Sequence, residues 1–126
     1  MTIAPGGPRH RAGSVFMDIT DIVRELCDTI TARMVASLAG VKDPGQVRKW
    51  ANGKLSPTQP AEQRLRFTYD IMHEIESVQG RKTAQAWIMS INPRLGYESP
   101  IKAIREDRFP ETGAAVKAVL DEGYDG

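Results

Sequence analysis

The sequence is poor in the residues from which many kinds of site are built. It holds one cysteine, Cys27, in 126 residues. A single thiol excludes an internal disulfide framework and a CxxC-type metal site, and it fits a reducing cytosol. Histidine occurs twice. His10 lies in a glycine- and proline-rich stretch, and His73 stands beside Glu74 without the HExxH spacing of a zinc site. The segment NGKLS has a Gly-Lys pair but lacks the first glycine of a phosphate loop and the hydroxyl residue after the lysine. No catalytic constellation is present, so an enzyme is not expected, and neither a cofactor nor a metal is called for. Long apolar runs are also absent: none approaches the roughly 18 to 20 residues of a bilayer span. MTIAPGGPRHRAGSVF lacks the apolar core of a signal peptide, which makes the cytoplasm the expected compartment and a membrane partner unexpected.

Net charge is the last scarcity. Seventeen basic residues against sixteen acidic ones leave +1, too little to draw the whole chain to nucleic acid or anionic lipid. The balance is an average of unequal parts. Between Lys42 and Arg66 six basic residues face only Asp43 and Glu62, a local +4, whereas from Glu106 to Gly126 six acids face Arg108 and Lys117, a local −4. Such asymmetry suits an anionic partner for the middle and a different partner for the end.

What is present is helical punctuation and period. Residues 1–15, with Pro5, Gly6, Gly7, Pro8 and Gly13, cannot offset their ordering entropy by burial and read as a mobile arm. Ile19, Ile22, Val23, Leu26 and Ile30 form one stripe of an amphipathic helix. Thr31 caps a short helix carrying Met34, Val35 and Leu38, which Gly40 ends. Asp43 as cap, Pro44 at the first position and Gln46 at capping-box spacing start another, with Val47 and Trp50 inward and Gly53 as terminator. A longer helix runs from about Gln59 to Val78 through Leu65, Tyr69, Met72 and Ile75, and Gly80 stops it. Helices over Thr83–Ile91, after Ser99-Pro100, and over Glu111–Leu120 complete the chain. Sustained period-two alternation is missing, and the fold class expected is all-α.

Two short helices joined by a glycine-containing turn, the second exposing basic and amide side chains, match the helix-turn-helix plan. In that plan phosphate contacts position a short recognition helix and side chains reaching base edges give specificity. Gln46, Arg48, Lys49 and Asn52 are the candidate base-facing residues, and Lys42 and Lys54 the candidate phosphate contacts. VASLAGVKDPGQVRKWANGK resembles the Xre type of helix-turn-helix, with a small Ala36, the turn Gly40-Val41, and a helix ending in Trp50-x-x-Gly53. It departs from that family in carrying Ala32 where a glutamine often holds a phosphate, and in a connection one residue longer than usual.

Further along, AWIMSINPRLGYESPIKAI resembles the signature of the Xre/MbcA/ParS toxin-binding domain at Trp87, Asn92, Pro93, Leu95, Gly96, Ser99 and Pro100. Each of these residues also has a scaffold role: Asn-Pro favours a turn, Gly96 a backbone twist, Ser99-Pro100 a helix start, and Trp87 a core. The resemblance covers about Asp18 to Leu120. It implies an N-terminal helix-turn-helix domain (16–79), a small helical toxin-binding domain (80–120) and an acidic tail (121–126). The protein it implies is an antitoxin of a RES–Xre type II toxin–antitoxin pair, covering the active-site cleft of a RES-domain toxin that destroys NAD. It also implies binding of the operator DNA of its own promoter, as a homodimer or as a hetero-oligomer with the toxin. Candidate toxin contacts are Arg94, Tyr97 and Lys102 within the block and Asp121, Glu122, Tyr124 and Asp125 after it. The acidic ones suit a pocket lined with cations for an anionic dinucleotide. The alternative is a stand-alone helix-turn-helix regulator without a toxin.

Overall fold

A computed structural model describes residues 13–122. Among them are seven α-helices, two single-turn 3-10 segments at Ser14–Phe16 and Pro93–Leu95, and no strand beyond one isolated antiparallel bridge between Asn92 and Glu98. The helices are α1 (Ile19–Thr29), α2 (Ala32–Ala39), α3 (Pro44–Ala51), α4 (Gln59–Gln79), α5 (Arg81–Met89), α6 (Pro100–Arg105) and α7 (Phe109–Glu122).

Local chemistry sets most of their starts. The hydroxyls of Thr31, Thr58 and Ser99 accept the backbone N–H three residues on, from Met34 (3.1 Å), Ala61 (3.3 Å) and Lys102 (3.2 Å). Asp43 accepts instead from Gly45, at 2.9 Å, while Gln46 stays exposed. Each contact satisfies an N–H that the helix itself leaves without a partner. At the end of α2, Gly40 takes a left-handed φ of +90°, and the N–H groups of Gly40 and Val41 both turn back to the Ala36 carbonyl at 3.0 Å.

The 21-residue α4, roughly 30 Å long at 1.5 Å per residue, is the mast of the fold. α1, α2, α5 and α7 all pack against it, and α6 bridges α2, α5 and α7. One hydrophobic core runs through both segments that the sequence assigns to separate domains. Ile22, Leu38, Leu65, Ile75, Ile88, Leu95 and Ile104 are all fully buried in it.

Several boundaries differ from the periodicity. α5 begins at Arg81, directly after Gly80 (φ +97°), and stops at Met89. Ile91 lies outside it because the chain turns extended at Ser90, and Asn92 gives its N–H to Glu98 across the bridge at 3.1 Å. α7 begins at Phe109, two residues before Glu111, since Phe109 packs on Phe67 with ring centroids 4.8 Å apart. Thr112 secures that first turn through two bonds to the Arg108 carbonyl. Val78, assigned to the apolar stripe of α4, is 63% exposed. Residues 1–12 of the expected arm lie outside the described residues, but Ser14 does not behave as arm. It is buried, its hydroxyl donates to Asp70 at 2.7 Å, and its carbonyl accepts from Arg66.

Candidate functional site

The helix-turn-helix is built by α2, the turn 40–43 and α3. Val47 and Trp50, 0% and 3% exposed, anchor α3 against α1 and α2. At the far end of α3, Arg24 from α1 donates to the Ala51 carbonyl at 2.9 Å. Burying one face leaves the other in solvent: Gln46, Arg48, Lys49 and Asn52 are exposed, as are Lys42 before the helix and Lys54 after it. The structure therefore brings all six predicted residues to one short segment. Asn52 has a structural duty as well, since its side-chain oxygen accepts the Lys54 N–H at 3.2 Å. Lys54 N–H also reaches the Lys49 carbonyl, which holds the exit from α3 in a tight turn.

Ion pairing divides the cations into two populations. Arg24, Arg64, Arg66, Lys102, Arg108 and Lys117 each have a carboxylate within 4 Å. Among the described residues Arg33, Lys42, Arg48, Lys49, Lys54, Arg81, Lys82 and Arg105 have none. Five of these cations lie on α2, α3 and their flanks, while Arg81 and Lys82 begin α5 and Arg105 ends α6. Arg33 belongs to this set although the basic segment read from the sequence starts nine residues later; its exposure on α2 is a tertiary fact.

Beneath α3 a cleft of about 420 Å³ is lined by Arg24, Cys27, Asp28, Ala32, Arg48 and Ala51. Burial pushes the Cys27 thiol above its ordinary pKa and the Asp28 carboxylate adds to this, while Arg48 pulls the other way. The thiol is therefore protonated at neutral pH and a poor nucleophile. Arg48, from the facing helix, is a cation neighbour that α1 alone does not reveal. His73 sits at the boundary, with Nε2 3.6 Å from Glu25 and its ring against Tyr69. Among the described residues no group of three or more His, Cys, Asp or Glu side chains is arranged to hold a metal ion. No helix there is long and apolar enough to cross a membrane.

The C-terminal block is scaffold at its signature positions. Asn92 is buried, and its side-chain oxygen accepts the Arg94 N–H at 2.9 Å. Leu95 is fully buried, and Gly96 (φ +68°) and Tyr97 (φ +64°) turn the chain back to the bridge. A left-handed φ is unusual for a tyrosine. Trp87 is 5% exposed, with an indole N–H that has no hydrogen-bond partner among the described residues.

Of the predicted toxin contacts, Arg94 and Tyr97 are exposed, Tyr97 at 71%. Lys102 is partly sequestered: its ammonium lies 2.7 Å from Glu98 and 3.3 Å from Glu106, which raise its pKa. Arg108 shares both carboxylates and adds Glu111, closing a network around the start of α7. Asp121 is exposed and pairs with Lys117 at 3.4 Å. Both Asp121 and Glu122 belong to α7 rather than to a separate tail. The Glu122 side chain, Tyr124 and Asp125 lie outside the described residues. Two residues that the sequence reading did not count as contacts are also exposed apolar side chains: Ile91, which it placed in the helix stripe, at 70%, and Met89 at 45%. Side chains alternate about an extended bridge, so the burial of Asn92 turns Ile91 outward. A hydrophobic residue one step beyond a helix end, just before Asn-Pro, is the signal that marked it.

No family model matches the chain, and no curated protein matches its sequence. In three dimensions it is similar to a chain of the crystal structure of the M. tuberculosis MbcT–MbcA toxin–antitoxin complex. The two superpose with a TM-score of 0.67 at 21% sequence identity, over 86% of this chain and 98% of that one, so what they share is the fold.

Proposed function

We propose that this protein is an antitoxin that neutralises a partner toxin by direct binding and represses its own promoter. The observation that carries the reading is the likeness of nearly the whole described fold to a chain of a toxin–antitoxin complex. The resemblance of the two sequence blocks, in the same order, points the same way. In the finer form of the proposal the partner is a cytoplasmic RES-domain toxin that degrades NAD, and the antitoxin occludes its cleft. Occlusion needs no chemistry from the antitoxin, only a surface with an apolar centre and a polar rim. Met89, Ile91 and Tyr97 supply exposed apolar area in one stretch of the chain, and Arg94 an exposed cation in the same stretch. The residues from Asp121 onward would extend the contact toward the cationic lining of a dinucleotide pocket.

The uncompensated cations on α2 and α3 support the repressor half, and they also favour the second reading, a regulator without a toxin. Dimerisation would place two recognition helices on a palindromic operator. Co-expression with the product of the adjacent gene separates the readings. An antitoxin co-purifies with that product and restores growth, and Ile91→Asp with Tyr97→Asp abolishes both effects while duplex binding persists. Growth rescue by the double variant overturns the toxin-facing assignment. Failure of the wild-type chain to bind or neutralise that product overturns the antitoxin reading.

A further inference from the structure

A cleft of about 400 Å³ opens at the turn between α2 and α3, and its walls come from both ends of the sequence. Arg33 and Ser37 of α2, Gly40 and Lys42 of the turn, and Arg105 at the end of α6 line it. Three of these are cations, and among the described residues none has a carboxylate within ion-pairing distance. Arg105 is held instead by a neutral group, donating to the Ser37 hydroxyl at 2.6 Å. Arg64, whose guanidinium approaches the same glycine, is treated differently: it is neutralised by Asp107 in a two-pronged pair at 2.9 and 3.2 Å. Three like charges around one cleft repel one another, and an anion entering it relieves that repulsion. Its position identifies the anion. The cleft lies between the first helix of the motif, which crosses the duplex backbone, and the entry to the recognition helix, which lies in the major groove. Lys42 belongs to both the cleft and the exposed basic face.

We infer that this cleft is a binding site for a backbone phosphate of duplex DNA, and that Arg105, from the block that resembles a toxin-binding domain, is one of its phosphate contacts. The inference rests on the repressor half of the proposed function and extends the DNA surface to a residue 51 positions beyond Lys54. Nothing is asked of Arg105 in base recognition, since a phosphate contact positions the protein without reading sequence.

The test is the salt dependence of binding by the full chain to two duplexes, the region upstream of its own gene and a random sequence. Each neutralised phosphate contributes about 0.9 to the slope of log K against log salt. Arg105→Gln keeps an amide that can still bond Ser37 but removes the charge, and it lowers the slope by about 0.9 on both duplexes. The loss of affinity is then about 3.5-fold greater at 50 mM than at 200 mM salt. Arg105→Lys restores the slope. Arg33→Gln, at an exposed position, gives the same loss and serves as the second variant if Arg105→Gln fails to fold. If the wild-type chain binds with a clear salt slope and both glutamine variants keep that slope, the phosphate site is refuted while the repressor reading stands. If the wild-type chain, with and without its partner, binds neither duplex, the repressor reading falls and takes the site with it. Saturable binding of inorganic phosphate that leaves duplex binding unchanged overturns the assignment to DNA.

Discussion

Replacing Gly40 by alanine should destabilise the protein through two separable effects. Gly40 sits at φ +90°, a region where an L side chain costs about 1 to 2 kcal/mol. An added Cβ would also lie 2.6 Å from Nη1 of Arg64, too close for any real contact. That nitrogen is the end of a flexible side chain, but it is not idle: it donates to the Ala39 carbonyl at 2.8 Å, while Nε and Nη2 grip Asp107. Displacing it breaks a charge-assisted hydrogen bond with a net contribution of about 1.5 to 3 kcal/mol, partly recovered when the freed groups meet water. The sum is about 2.5 to 4 kcal/mol. At roughly 4 °C per kcal/mol for a domain of this size, the melting midpoint falls by roughly 10 to 16 °C. A double-mutant cycle isolates the steric part. In an Arg64→Ala background the clash is gone and Gly40→Ala costs only its backbone term, so the cycle should return a coupling of about 1.5 to 2 kcal/mol from denaturant unfolding. Additivity within about 0.5 kcal/mol refutes the proposed contact, because a purely conformational penalty is blind to Arg64.

Two further measurements follow from protonation. Burial, with the nearby Glu25 charge second, pushes the Tyr69 hydroxyl up to about 12, so the folded protein keeps that proton after the unfolded chain has lost it. Its contribution to stability is complete below pH 10 and disappears as pH rises from 10 to 12; urea midpoints of the wild type should fall faster over that window than those of Tyr69→Phe, and parallel curves would disprove this. For Cys27, iodoacetamide should react more slowly at pH 8 than with a free cysteine, slower still in Arg48→Ala and faster in Asp28→Asn; the reverse order of the two variants would show that the facing helix does not act on the thiol.

The parts of the fold legible in the sequence are those whose physics is local. Asp43-Pro44, Thr31 and Ser99-Pro100 announce helix starts because a cap and its N–H lie within three residues, and Gly40 announces a helix end because the left-handed turn is a property of one residue. The candidate recognition face was legible for the same reason: once Val47 and Trp50 point inward, geometry places Gln46, Arg48 and Lys49 outside. The C-terminal block was legible only as scaffold. Tyr97 could be named, but Ile91 reads as one more apolar residue of a helix until the bridge to Glu98 pulls it off the helix and turns it to solvent. Lys102 has Glu98 and Glu106 four residues to either side, and the fold brings both carboxylates onto it.

By itself, then, the sequence determined the all-helical class, the order of the elements and the segment carrying the basic face. Tertiary structure alone decided the pairings between groups far apart in sequence. Arg64 meets Asp107 across 43 positions, and Arg105 meets Ser37 across 68, and no local period encodes either encounter. A cation's availability depends on what lies within a few ångströms of it, and for Arg64 and Arg105 those neighbours come from distant parts of the chain. The near-zero net charge is the same in any conformation. Folding neutralises Lys102 and Arg108 within one carboxylate network and Lys117 on Asp121, and leaves the cations around α2 and α3 open to an anion.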